Sequence, residues 1–160
     1  MPKTLVRPAT STDFPTLLRI DQGCFPAGIA YDAAELFYYM KRPGARTLVV
    51  EVHEHVAGFL VMEVLARRRC ATMVTLDIRE EHRRRGCATR LLQTSEQILR
   101  SEKIRQYELQ VDVGNSAALE FYRKHGFEIV RVLSHYYPNG NDAYFMVKQL
   151  DSERTVKTDA

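Results

Sequence analysis

Two stretches of this chain carry residues whose types and spacing could do chemistry. In "REEHRRRGCATRLLQ" (79–93), Arg83, Arg84 and Arg85 run into Gly86, Cys87, Ala88 and Thr89, and an apolar pattern with helical spacing follows. A strand that ends in a tight glycine turn and opens into a helix builds an anion site. The first N–H groups of a helix lack internal partners and carry the positive end of its dipole. A glycine lets an anion come close to the backbone and allows conformations that a Cβ would block. A basic helix start on a solvated face would explain Arg84 and Arg85. It would not explain three small residues in a row at 86–88, which leave room for a pyrophosphate.

The second stretch is "QYELQVDVGN" (106–115). It alternates, with Tyr107, Leu109, Val111 and Val113 on one face and Glu108, Gln110 and Asp112 on the other. A polar stripe on a central strand is costly unless it lines a cleft, so this face borders a substrate channel. The plainer alternative leaves Glu108 and Asp112 near strand ends in water. "NSAALEFYRKHGF" (115–127) then reads as a short helix, with Asn115 as N-cap and Gly126 where a left-handed residue ends it.

The remaining elements must position these two stretches. "KTLVRPAT" reads as a first strand, and "TSTDFPTLLRIDQGCF" as a capped helix. "FPAGIAY" (25–31) reads as a loop and "DAAELFYYMK" as a second helix. "RTLVVEV" and "VAGFLVMEVL" form a hairpin around "HEH", and "TMVTLDI" is the next strand. Ala88, Leu91, Leu92, Ile98 and Leu99 share one face of the helix that follows. "EIVRVLS" and "DAYFMVKQL" are strands around the loop "HYYPNGN". The order β–α–α–β–β–β–α–β–α–β–β indicates an α/β chain with a mixed sheet and helices on both faces.

Composition narrows the class. The chain of 160 residues suits one domain, expected over 1–150, with a polar tail at 151–160. A net charge of +3, from 23 basic and 20 acidic residues, is too small an excess for nucleic-acid binding across the surface. "RRRC" (67–70) reads as a hairpin-end patch, and no aromatics interleave with the arginines as an RNA surface would need. Cys24, Cys70 and Cys87 have neither disulfide nor zinc spacing, and the five histidines show no metal-ligand spacing, so no metal is expected. The N-terminus lacks a signal-peptide core and no apolar run reaches membrane length, so the expectation is a cytoplasmic protein without membrane contact, monomer or homodimer.

R-x-x-G-x-A after a strand, then a helix, a strand and "NSAALEFYRKHGF", resembles the pattern of GNAT-superfamily acetyl-CoA-dependent N-acetyltransferases over nearly the whole chain. "FPAGIAY" and "RVLSHYYPNGNDAYFMVK" are most similar to the protein N-terminal α-amine acetyltransferases, of both the bacterial ribosomal-protein (RimI) type and the archaeal and eukaryotic types. The resemblance implies the GNAT fold, a mostly antiparallel central sheet of about seven strands. It also implies acetyl-CoA as acyl donor. The motif Arg83, Arg84, Arg85, Gly86, Cys87, Ala88 and Thr89 would hold the CoA pyrophosphate. Leu76 to Ile78 would pair with the pantetheine arm as another strand would, and Asn115, Ala118 and Tyr122 would line that arm.

The resemblance sets Tyr122 beside the CoA sulfur, where a phenol suits a departing thiolate as general acid because their pKa values are close. RimI-type enzymes carry a glutamate, and some relatives a histidine, where this chain has Gln110, which cannot accept a proton. The expected proton route is an ordered water held by Gln110 and backbone carbonyls, with Asp112, two residues on, as second choice. An α-amine has a pKa near ~7.8 and a lysine side chain ~10.4, so neutralising them at pH ~7 costs roughly 1 and roughly 4.6 kcal/mol. A weak base can serve the first far more easily, which favours an α-amine acceptor, a protein or peptide N-terminus. The resemblance places Tyr31, Tyr136 and Tyr137 in the loops that flank the peptide entrance, and Phe25 and Pro26 at the pocket for the first residue. Two alternatives stay open: a small-molecule amine acetyltransferase, and an acyl-CoA-binding module with little catalysis.

Overall fold

The computed structural model describes residues 3–150. The tail read at 151–160 lies outside the described residues. In chain order the elements are β1 (Thr4–Pro8), α1 (Phe14–Cys24), α2 (Ala33–Lys41), β2 (Ala45–Val52), β3 (His55–Leu65) and β4 (Cys70–Ile78). They continue with α3 (Cys87–Ser101), β5 (Gln106–Asp112), α4 (Ser116–Lys124), β6 (Glu128–Leu133) and β7 (Ala143–Gln149). One seven-stranded sheet runs in the order β1-β2-β3-β4-β5-β7-β6, antiparallel throughout except for the β4/β5 pair. This is the mixed, mostly antiparallel sheet expected from the sequence.

Local chemistry explains the joints. His53 and Glu54, the two residues between β2 and β3, both have positive φ (51° and 68°). A two-residue turn with both φ values positive matches the right-handed twist of the strands it joins. Asp32 caps α2 by accepting from the Glu35 N–H at 2.8 Å, and Glu35 returns the bond at 3.0 Å. Gly126, at φ 96°, ends the turn after α4 as the sequence suggested.

Helices cover both faces of the sheet. Leu17 and Ile20 of α1 and Leu36 of α2 pack on Val49, Phe59 and Val61. Leu91, Leu92 and Leu99 of α3 and Tyr122 of α4 pack on the opposite face, against Leu60, Met62, Leu109 and Val111. The buried face of α3 also carries Ser95 and Glu96. Ser95 shares a 2.9 Å hydrogen bond with the Tyr107 hydroxyl, and Glu96 accepts from Lys148 Nζ at 3.0 and 3.1 Å. β5 keeps its alternation, although Val113 falls past the strand end and is exposed rather than continuing the apolar face.

The feature that matters for function lies between β4 and β5. They pair only over Cys70–Met73 against Gln106–Leu109. Beyond that β5 keeps its partner β7 and β4 keeps β3, so the two parallel strands separate into a wedge. A bulge accompanies the split: Val61 pairs with Thr75 and Met62 with Met73, which leaves Val74 as the extra residue. Bulges bend a strand and shift its side-chain alternation.

Candidate active site

The wedge holds a cleft of about 400 Å³. Val74, Thr75 and Leu76 wall it on the β4 side, and Gln110, Val111 and Asp112 on the β5 side. Its remaining lining comes from both faces of the sheet. Asn115, Ala118 and Tyr122 belong to the α3/α4 face, whereas Asp21, Phe25, Pro26, Tyr31 and Tyr137 belong to the α1/α2 face. A ligand seated in the wedge would therefore touch both layers.

On the α3/α4 face, Asn115 Oδ1 accepts from the Ala118 N–H at 3.2 Å, which fixes the side chain and leaves its amide N–H groups for a ligand. Tyr122 is 9% exposed, with its ring edge-on to Phe121 and Phe127. Burial, with smaller contributions from Asp77 and Tyr137, pushes its pKa far up, so the phenol keeps its proton. Past the end of β4, Arg84 (φ 61°) and Gly86 (φ 84°) adopt left-handed backbone, and Gly86 stands at the N-cap of α3. A Cβ at Gly86 would meet nothing within 4 Å, so the space in front of the helix is open. Arg84 and Arg85 are exposed beside it, while burial lifts the pKa of the Cys87 thiol, which fills space. Thr89 Oγ1 bonds His125 Nε2 at 3.3 Å and so ties α3 to the end of α4.

Arg83 and Ile78 do not line the cleft, and neither do residues 84–89 of the turn beyond it. Arg83 folds back, with Nε donating to the Ile78 carbonyl at 2.9 Å and Nη2 to Cys24 Sγ at 3.4 Å. The Ile78 side chain is buried in the core under α3. Tyr136 stays at the rim, 47% exposed, with its ring edge-on to Tyr137, the member of the pair that reaches the wall.

On the β5 stripe only Gln110 and Asp112 line the cleft. Glu108 sits where β4 and β5 still pair, and it accepts from Gln106 at 2.7 Å. Asp112 has both oxygens occupied: Oδ1 by the Gly114 N–H at 3.0 Å, and Oδ2 by Asn141 Nδ2 at 3.1 Å. That carboxylate braces the β5–α4 turn and the loop before β7. No helix among the described residues is long and apolar enough to cross a membrane.

Comparison with known proteins adds to this geometry. The Acetyltransferase (GNAT) family model matches residues 14–127, from the start of α1 to just past α4. The chain belongs to the GNAT acetyltransferase family. It is 30% identical over 160 residues to an N-alpha-acetyltransferase of Sulfurisphaera tokodaii, covering 91% of this chain and 92% of that one. The crystal structure of Ard1 from Thermoplasma volcanium superimposes with a TM-score of 0.82 at 25% identity, covering 91% of this chain and 97% of the other. The ribosomal-protein-S18-alanine N-acetyltransferase of Escherichia coli reaches a TM-score of 0.81 at 20% identity, covering 92% and 94%, and so shares the fold.

This GNAT domain also holds a pair of carboxyls that sequence reasoning missed. Asp21 on α1 and Asp77 on β4 are 0% and 1% exposed. Asp21 Oδ2 accepts from the Tyr31 N–H at 2.7 Å, and Asp77 Oδ1 from the Thr75 hydroxyl at 2.5 Å. Among the described residues no N–H or O–H donor reaches Asp21 Oδ1 or Asp77 Oδ2. The two carboxyls are electrostatic neighbours, and a proton on one of them would let them hydrogen-bond. Burial first, then the neighbouring Asp21, lifts the Asp77 pKa well above its ordinary range. A signal was present: Leu17, Ile20, Asp21 and Cys24 share one helical face, so an aspartate stood in an apolar stripe.

Proposed function

We propose that this protein transfers the acetyl group of acetyl-CoA to the α-amine of a protein or peptide N-terminus. The observation that carries the reading is the wedge between β4 and β5, with an anion-receptive helix start beyond one face and an aromatic pocket on the other. Family membership and the N-alpha-acetyltransferase relative support it.

Acetyl-CoA would supply an acetyl thioester, an acyl group activated toward attack by a neutral amine. The residues present fit such a donor. The N–H groups from Gly86 to Thr89, flanked by Arg84 and Arg85, suit its pyrophosphate. The edge of β4 around Leu76, left unpaired where β5 departs, offers backbone groups to the pantetheine amides. Asn115 adds a side-chain amide, and Ala118 leaves room. Tyr122 is the general acid: burial keeps its phenol protonated and widens its pKa gap to a free thiol, so the proton passes as the C–N bond forms and the C–S bond breaks beside it in the same buried site.

The acceptor enters from the α1/α2 face. Phe25 and Pro26 hold its first residue, and Tyr31 and Tyr137 bond its backbone, with Tyr136 at the rim. Such contacts recognise a chain end without demanding one side chain. Gln110 holds the water that receives the amine proton, and Asp112 keeps the wall in place rather than serving as base.

The test incubates the purified protein with acetyl-CoA and peptides beginning with Ala, Ser, Met or Gly. Matched peptides with blocked N-termini and one lysine serve as controls, and the label is mapped by mass spectrometry. Label on free N-termini alone is expected. Turnover of small amines with no peptide labelled, or acetyl-CoA binding without any turnover, would overturn the reading.

A further inference from the structure

Gln110 cannot end a proton relay, and Asp112 is committed to the turn, so the proton leaving the amine needs another destination. We propose that the Asp21–Asp77 pair is that destination: a two-carboxyl base on the acceptor side of the cleft, reached from the amine through one water beside Gln110. The inference rests on the α-amine reading above and deepens it.

The geometry supports this assignment. Asp21 belongs to the cleft wall, as does Thr75, whose hydroxyl binds Asp77. The bulge at Val74 turns both Thr75 and Asp77 toward α1, away from the face that carries Tyr122. Among the described residues each carboxyl keeps one buried oxygen without an N–H or O–H donor, and the neighbouring Asp21 acts on Asp77 directly. A buried carboxyl pair with nothing else to bind is costly, and packing alone would be served better by leucine at either position.

The pair's part is one proton transfer; the second proton leaves the nitrogen after attack and replaces the one that Tyr122 gives to the thiolate. Above the raised titration of Asp77 the pair is doubly ionised, and one carboxylate then accepts the proton through the water. An N–H bond of the ammonium breaks, an O–H bond of the pair forms, and the nitrogen lone pair is freed for attack. The product proton is shared between two carboxyls, which makes the pair a stronger base than either aspartate alone. The attacking amine and Tyr122 thus work from opposite faces of the sheet, with the wedge between them.

Other groups facing the pair are few. Arg83, from the turn after β4, and Thr75, on the same strand, favour the ionised form of Asp77. Cys24 of α1 donates to the Ile78 carbonyl, and its own pKa is raised by burial and by Asp77. Tyr31, from the loop after α1, and Tyr122 of α4 are protonated neighbours held so by burial.

The test compares wild type with Asp77→Asn and Asp21→Asn, which preserve shape, using a peptide with one free α-amine. Each variant is expected to lower kcat/KM on the order of 100-fold near pH ~7. Its ascending pH limb should move upward toward that of the free amine, with acetyl-CoA affinity unchanged. Wild-type activity with both variants retaining the wild-type rate and pH profile would overturn the pair while leaving the α-amine reading intact. A wild type that labels no α-amine defeats that reading first. Carboxyl ¹³C titration of the wild-type protein provides a readout that does not depend on the variants folding. Asp77 is expected to titrate well above the ordinary carboxylate range, and an ordinary titration of Asp77 would refute the assignment.

Discussion

Replacing Gly86 by alanine separates backbone strain from ligand contact. Gly86 sits at φ 84°, where a Cβ-bearing residue pays about 1 kcal/mol. Nothing lies within 4 Å of the new methyl, so no clash adds to that figure. For a chain of this size the expected loss in Tm is roughly 2–4 °C. Gly140, in the loop before β7, has φ 90° and equally open surroundings, so Gly140→Ala should lose about the same stability. The two variants differ in what the methyl faces. At Gly86 it projects into the space assigned to the pyrophosphate, and acetyl-CoA affinity should fall more than ~10-fold, or about 1.4 kcal/mol. At Gly140 affinity should not change. Thermal melts and calorimetric titration of both proteins measure the two quantities. Equal acetyl-CoA affinity in both variants would refute the placement of the anion at the start of α3.

Tyr122→Phe should lower kcat on the order of 100-fold with little change in KM for acetyl-CoA, measured by steady-state kinetics. Its stability should hold, because no hydrogen bond to its hydroxyl is found among the described residues. Lys148→Met removes the ammonium 3.0 Å from Glu96, which is 5% exposed, and should destabilise the fold by about 3 kcal/mol in urea titration, the low end for a broken buried pair because Arg100 stays 3.7 Å away. Asp77 gives a pH effect of definite sign. Its pKa is higher folded than unfolded, so the folded protein holds a proton the unfolded chain has released, and stability falls as pH rises between the two values. Asp77→Asn should flatten that fall, which denaturation near pH ~5 and pH ~8 would detect.

Much of the fold was legible because its signals are local. The alternation of β5, the Asn115 cap and the Gly126 stop each depend on residues a few positions apart. The motif turn at Gly86 was legible for the same reason. The wedge was not, because it depends on β4 and β5 parting after four paired residues, and on a bulge at Val74 that no turn residue marks. Arg83 looked like a donor to the anion, but its side chain is drawn back by the Ile78 carbonyl, a partner fixed only by the folded turn. Asp112 was the second choice for base, and its contact with Asn141, from a loop 29 positions away, could not be read from the strand pattern. Asp21 and Asp77 lie 56 positions apart by number, and only the packing of α1 on β4 makes them a pair.

The most direct test of the central claim uses one peptide that carries both a free α-amine and a lysine, followed over time by fragment-ion mass spectrometry. The two amines differ by about 3.5 kcal/mol in the cost of losing a proton near pH ~7, so the α-amine should be acetylated faster by two to three powers of ten. Equal labelling of the two sites, or faster labelling of the lysine, would contradict an active site built for chain ends.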